Sequence, residues 1–163
     1  LLVHYDPLKS TYSEIKILIE EKISLLDEST YRPSRRLEIP VLYGNASGLD
    51  FESVATTLTL SPSELIRLHS EREYTVYMMG FTPGFPYLGI LNEKLILPRM
   101  STPRTRVPAG SVAIAGSQTG IYPVDSPGGW HIIGHTPLKL FDPTSETPFL
   151  FAPGDTVKFI PTN

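Results

Sequence analysis

Ile15, Leu18, Ile19, Ile23 and Leu26 recur at three- and four-residue spacing, with Lys16, Glu20, Glu21 and Lys22 between them. That period marks an amphipathic helix. Thr11 and Glu14 supply a T-x-x-E capping box at its start, so the pattern predicts a helix over 11–26. Upstream, Leu1–Leu2–Val3 reads as an apolar strand already under way, closed by Asp6–Pro7. The polar stretch 29–36, which carries Pro33, is expected to be a linker. Residues 1–28 are then the remnant of one domain, and 37–163 form a second.

Leu37–Tyr43 reads as a strand in which Pro40 marks an edge or a bulge. Asp50–Leu58 fits a short helix with Asp50 as its cap. Ser61-Pro62-Ser63-Glu64 joins a capping box to a proline at the first helical position and predicts a helix to about Arg72. Tyr74–Met79 follows as a strand. Beyond Gly80 the character changes: 12 of the 16 prolines and 9 of the 12 glycines fall in 81–163. Between these turn residues lie the short apolar runs Ser111–Ala115, Trp130–Gly134, Leu138–Phe141, Phe149–Phe151 and Thr156–Ile160. Short strands punctuated this way predict a mainly β fold, closed or sandwiched, with a few short helices.

Composition narrows the chemistry. With 40% hydrophobic and 19% charged residues, the 163 residues can bury a core. The absence of cysteine excludes a disulfide scaffold, a thiolate nucleophile and Cys-ligated metal sites. A net charge of −3 gives no reason to expect nucleic acid, and no run reaches the roughly 18 apolar residues of a membrane helix. The expected setting is cytoplasmic, with neither nucleic acid nor membrane as partner. No G-x-x-x-x-G-K-[ST] phosphate loop is present, and Gly116-Ser117-Gln118-Thr119-Gly120 places its serine one position too early for a nucleophile elbow. His131 and His135 are separated by Ile132, Ile133 and Gly134; on a strand they would stand about 13 Å apart, too far to share one metal. His131, directly after Gly128-Gly129-Trp130, reads either as a proton donor or as a histidine satisfied by a backbone carbonyl. His69, on the second capped helix, reads as a packing or helix C-terminal residue.

Two features invite a ligand. From Lys94 to Val124 the bases Lys94, Arg99, Arg104 and Arg106 occur without a single acid. Guanidinium forks of this kind hold a carboxylate or phosphate, or else staple a proline-rich loop through backbone carbonyls. Gly80-Phe-Thr-Pro-Gly-Phe-Pro-Tyr-Leu-Gly89 alternates rings with turn residues, and an extended backbone puts Phe81, Phe85 and Tyr87 on one face. They would wall a pocket or plug a barrel end.

The Gly80–Gly89 block is followed by Pro98-Arg99, by Thr102-Pro103-Arg104-Thr105-Arg106-Val107-Pro108-Ala109-Gly110-Ser111-Val112, by Gln118-Thr119-Gly120-Ile121-Tyr122-Pro123 and by Ser126-Pro127-Gly128-Gly129-Trp130. Over about residues 37–160, these blocks resemble the family of KipI and the B-type 5-oxoprolinase subunits, also called allophanate hydrolase subunit 1. It is a carboxyltransferase subdomain C/D module that also forms part of urea carboxylase. The resemblance implies a cyclophilin-like β-barrel over 37–163, preceded by an α+β domain whose last strand and helix are residues 1–28. It implies the B-type member of an ATP-dependent 5-oxoprolinase, opening 5-oxoproline to L-glutamate only within a complex, the isolated chain being inactive. The implied partners are a sister protein of the KipA or C-type oxoprolinase kind and the A-type oxoprolinase component, with ATP used by the assembly. Alternative roles are KipI-type inhibition of a sporulation histidine kinase and a part in allophanate or urea metabolism. For the lactam reaction, Arg104 and Arg106 are the expected anion holders and Phe85 and Tyr87 the wall. Gln118 and Tyr122 are the expected polar orienters, and His131 the acid/base.

Overall fold

The computed structural model describes residues 3–25 and 34–162. Leu1, Leu2 and Leu26, together with the 29–33 part of the expected linker, lie outside the described residues. The chain divides into two compact units, Leu1–Pro33 and Ser34–Asn163. In the first, helix α1 (Tyr12–Ser24) begins at the capping box read from the sequence. The Glu14 N–H donates to Thr11 Oγ1 (3.3 Å) while the Thr11 N–H donates to Glu14 Oε2 (2.7 Å). None of its residues is buried, and Val3 is not in a strand.

The second unit runs β1 (Arg36–Tyr43), α2 (Phe51–Thr57), α3 (Pro62–Ser70), β2 (Glu73–Met79), β3 (Pro86–Gly89), β4 (Arg104–Val107), β5 (Ser111–Ala115), β6 (Gln118–Ile121), β7 (Ser126–Gly128), β8 (His131–His135) and β9 (Thr156–Thr162). Seven strands close a barrel in the order β1-β8-β5-β6-β3-β2-β9, and β4 and β7 form a separate two-stranded ribbon. β9 lies parallel to β1, from Arg36↔Thr156 to Leu42↔Thr162, and antiparallel to β2. Closure gives every barrel strand a neighbour on both sides. This is the mainly β barrel with a few short helices that the punctuated apolar runs predict.

Alternation along the strands sorts the side chains into two cores. Val112 and Ile114 of β5 join Ile39, Val41, Val76, Ile121, Val157 and Phe159 in the large barrel core, which also takes Val54 of α2 and Leu65 and Leu68 of α3. Ala113 and Ala115 of the same strand face a smaller cluster built on Phe85, Tyr122 and Trp130. β5 is therefore buried on both faces, which explains its unbroken apolar reading. Pro40 sits where β1 is paired to β9 alone, because β8 reaches only Leu42 and Tyr43, and proline is tolerated at such one-sided positions.

Two expected strands do not form. Leu138–Phe141 and Phe149–Phe151 meet only through one bridge, Phe141↔Phe149, whose rings stack with centroids 5.3 Å apart. The connecting segment holds Pro143 and Pro148, and the Asp142 carboxylate folds back to accept from the Thr144 N–H (3.0 Å), so the ladder stops at one rung. β4 and β7, hidden among prolines, are strands the apolar pattern does not signal.

His69 packs as its sequence reading expects, and it also anchors a polar chain across the barrel. It is fully buried in the barrel, its ring 4.6 Å from that of Phe159. The Thr119 hydroxyl donates to the Ala113 carbonyl (2.9 Å), so it accepts from His69 Nε2–H (2.9 Å). That fixes the tautomer: Nδ1 is left to accept from the Tyr43 hydroxyl (2.7 Å). Burial lowers the His69 pKa from 6.5 to about 3. The folded barrel thus holds a neutral ring that the unfolded chain protonates below 6.5. Its stabilising effect is complete above pH 6.5 and shrinks as pH falls toward about 3. Unfolding free energy should therefore fall by about 1.4 kcal/mol per pH unit across this window. Urea titrations of wild type and His69→Gln check this: the variant should lose that slope, and an unchanged slope would assign it to other groups.

Candidate functional site

The smaller core opens at the surface into a cavity of about 270 Å³ lined by Phe81, Phe85, Tyr87, Tyr122 and Trp130, with Arg99 at its rim. The remaining lining is proline and glycine. Phe85 is the hub: its ring meets those of Phe81 (5.7 Å), Tyr87 (4.9 Å), Tyr122 (5.2 Å) and Trp130 (5.6 Å). All four pairs are edge-to-face, the geometry the aromatic quadrupole favours. Gly120 of β6 makes this possible, since a Cβ there would lie 2.8 Å from Phe85 Cζ and 2.9 Å from the Pro86 carbonyl oxygen. Gly128 of β7 has the same role, as a Cβ there would overlap the Tyr122 hydroxyl.

Phe81 carries a positive φ of 68°, a strained conformation for a bulky residue, and is 59% exposed. The turn 80–85 holds it there: the Gly80 N–H donates to the Phe85 carbonyl (3.1 Å) and the Phe85 N–H to the Thr82 carbonyl (3.1 Å). Phe81 also borders a second, larger and mainly apolar groove of about 580 Å³ with Met79, Phe149 and Phe151.

The acid-free basic run finds its acids elsewhere in the chain. Lys94 pairs with Glu64, and Arg106 pairs with Asp125 at 2.6 Å, largely exposed. Arg104 grips the buried Asp50 through two nitrogens, at 2.9 and 2.5 Å. Asp50 also accepts from the Ile132 N–H at 2.7 Å, so it locks β8 to the ribbon instead of capping α2 with its side chain. Arg99 makes no ion pair among the described residues; its guanidinium stands 5.9 Å from the Trp130 ring centroid. It is the base of the run whose charge is left for a ligand.

Of the residues singled out by sequence, Phe85, Tyr87 and Tyr122 come together in the cavity wall. Arg104 and Arg106 stand outside the lining, already engaged by carboxylates. Gln118 is at the opposite end of β6 from Tyr122, about 13 Å along the strand. His131 donates from Nε2 to the Pro98 carbonyl (2.9 Å) and borders a neighbouring depression with Arg99 and Met100. Trp130 is at once core, at 5% exposure, and cavity wall. Burial pushes the Tyr122 phenol up, against the opposing pull of the Trp130 backbone N–H and the charges of Arg99 and Arg104. Among the described residues no three His, Asp or Glu side chains cluster as metal ligands.

Fold and cavity define a closed β-barrel domain with a small aromatic cavity whose lining carries one cation, Arg99. Its sequence matches the model of the carboxyltransferase domain, subdomain C and D, over residues 1–151, and the chain belongs to that family. It is 49% identical to the B-type 5-oxoprolinase subunit of Bacillus subtilis over 94% of this chain and 64% of the relative. The B-type 5-oxoprolinase subunit of Escherichia coli O157:H7 is 56% identical over 78% of this chain and 59% of the relative. The chain thus spans about three fifths of the length of these curated relatives. Among solved structures, a conserved uncharacterized protein from Pyrococcus horikoshii superposes with a TM-score of 0.76 at 44% identity, over 98% of this chain and 73% of that one. The urea amidolyase of Kluyveromyces lactis shares the fold, with a TM-score of 0.72 at 18% identity over 94% of this chain and 11% of that one.

Proposed function

We propose that this chain is part of a B-type 5-oxoprolinase subunit, working with partner proteins to open the lactam of 5-oxoproline to L-glutamate. The observation that carries the reading is 49–57% identity to the B-type 5-oxoprolinase subunits of three bacteria, across 77–94% of this chain. Urea carboxylase and urea amidolyase relatives are only 24–28% identical, which favours the lactam over urea. The assembly is cytoplasmic, its other members are a sister protein of the KipA or C-type oxoprolinase kind and the A-type component, and the isolated chain is inactive.

ATP belongs to the assembly and not to this cavity. At about 270 Å³, with a single uncommitted guanidinium at the rim, the cavity fits neither the volume nor the charge of a nucleoside triphosphate. The residues here instead suit binding: rings that exclude water, a cation at the mouth, and rigid proline and glycine backbone between them.

Full-length protein reconstituted with its partner proteins, ATP and 5-oxoproline should release glutamate, while the protein alone releases none. An assembly that releases no glutamate would overturn the reading.

A further inference from the structure

We propose that the aromatic cavity binds a small flat ring carrying one carboxylate, with Arg99 holding the carboxylate and the Tyr122 hydroxyl donating to a carbonyl on the ring. This rests on the reading of the chain as part of a 5-oxoprolinase, since 5-oxoproline is such a ring.

Size and wall chemistry set the ligand class. A cavity of about 270 Å³ lies just below the usual range for drug-sized ligands and suits a metabolite of one small ring. Phe81, 59% exposed in the same lining, offers an apolar ring against which a five-membered ring can pack. The lining contains no acid, and Arg99 is its one charged residue. An anionic group is thus attracted at the rim, and nothing in the wall repels it.

Arg99 is rooted on both sides. The Leu97 carbonyl accepts from the Gly116 N–H (2.7 Å), and the Met100 N–H donates to the Gly129 carbonyl (2.8 Å). The Pro98 carbonyl, directly before Arg99, accepts from His131 (2.9 Å). The backbone under the guanidinium is therefore held in place while the head group keeps its donors for a carboxylate. His131 is thereby a positioning residue for Arg99.

Tyr122 is fixed just as firmly. Its N–H donates to the Ser111 carbonyl (2.9 Å), and its own carbonyl accepts from the Gly110 N–H (2.7 Å). The residue is 1% exposed yet lines the cavity, and its hydroxyl lies against Gly128, which lines the same cavity. Burial keeps the phenol protonated, and a protonated phenol donates to a carbonyl oxygen.

Three ligands separate the two contacts, each compared between wild type and variant: L-5-oxoproline has both groups, L-proline has a protonated amine and no ring carbonyl, and 2-pyrrolidinone lacks the carboxylate. Full-length protein is titrated with each by ligand-detected NMR, with circular dichroism confirming the fold of every variant. Arg99→Gln should weaken 5-oxoproline and proline about ten- to hundredfold and leave 2-pyrrolidinone unchanged. Arg99→Lys, which keeps the charge but loses the fork, should fall between the two. Tyr122→Phe should weaken 5-oxoproline and 2-pyrrolidinone about fivefold and leave proline unchanged.

Wild-type protein that binds none of the three, or Arg99→Gln that binds 5-oxoproline as wild type does, would overturn the proposal. An equal loss for all three ligands would also overturn it. The assembled enzyme keeps the two readings apart. Normal KM in an active Arg99→Gln assembly sinks the site but leaves the function standing; an inactive wild-type assembly sinks the function, and the titrations still decide the cavity.

Discussion

Replacing Asp50 by alanine is expected to destabilise the barrel by about 3–5 kcal/mol, the loss that follows when one partner of a buried ion pair is removed. Asp50 is 6% exposed and accepts three hydrogen bonds, two from Arg104 and one from the Ile132 N–H. Alanine strands a half-buried guanidinium and an amide donor together, and it unties α2, β8 and the β4–β7 ribbon at one point. Urea unfolding of the two proteins measures the loss. Arg104→Met should also be destabilising, and the double variant should lose clearly less than the sum of the singles, because no unpaired charge then remains. Additive losses would show that the pair is not coupled. A loss under about 1 kcal/mol in Asp50→Ala would place the pair among solvated surface bridges.

Gly128→Ala is expected to lower turnover of the assembled enzyme about a hundredfold, the scale of an ångström-sized misplacement of binding groups. Its Cβ would overlap the Tyr122 hydroxyl and sit 2.7 Å from the ring carbon that bears it. Neither Tyr122, packed against Phe85, nor the ribbon, paired through Arg104↔Gly128, can yield without reshaping the cavity. The cost in stability should be smaller, about 1–3 kcal/mol of overpacking. Steady-state kinetics beside an unfolding curve separates the two effects. Turnover close to wild type in Gly128→Ala would show that the reaction does not use this cavity.

Local chemistry was legible in the sequence and distant pairing was not. Ser61-Pro62-Ser63-Glu64 starts α3 because each contact involved lies within three residues, and the Glu64 N–H indeed donates to Ser61 Oγ (3.2 Å). The ring spacing of the Gly80–Gly89 block left a pocket wall and a barrel plug both open, and Phe81 reaches the cavity through a positive φ and not through an extended strand. Choosing among the arginines needed the fold. Arg104 and Asp50 are 54 residues apart, Arg106 and Asp125 are 19 apart, and nothing local reveals which bases those acids consume. The partners of His69 were hidden for the same reason: Tyr43 and Thr119 are 26 and 50 residues away. A histidine next to Leu68 on the buried face of an amphipathic helix was the available signal, and burial of Leu65 and Leu68 on that face is what gives it meaning.

The placement of β9 has a consequence for how the protein is made. The strand that separates β1 from β2 is made after every other strand of the barrel, and it pairs with residues synthesised about 120 positions earlier, as in Arg36↔Thr156. Until it emerges, β1 and β2 each present an unpaired flank that invites wrong partners. Barrel closure is thus a late, long-range event, of the kind that folds in milliseconds to seconds. A nascent chain halted before Thr156 would hold nearly the whole core sequence and still lack the one strand that turns a curled sheet into a barrel.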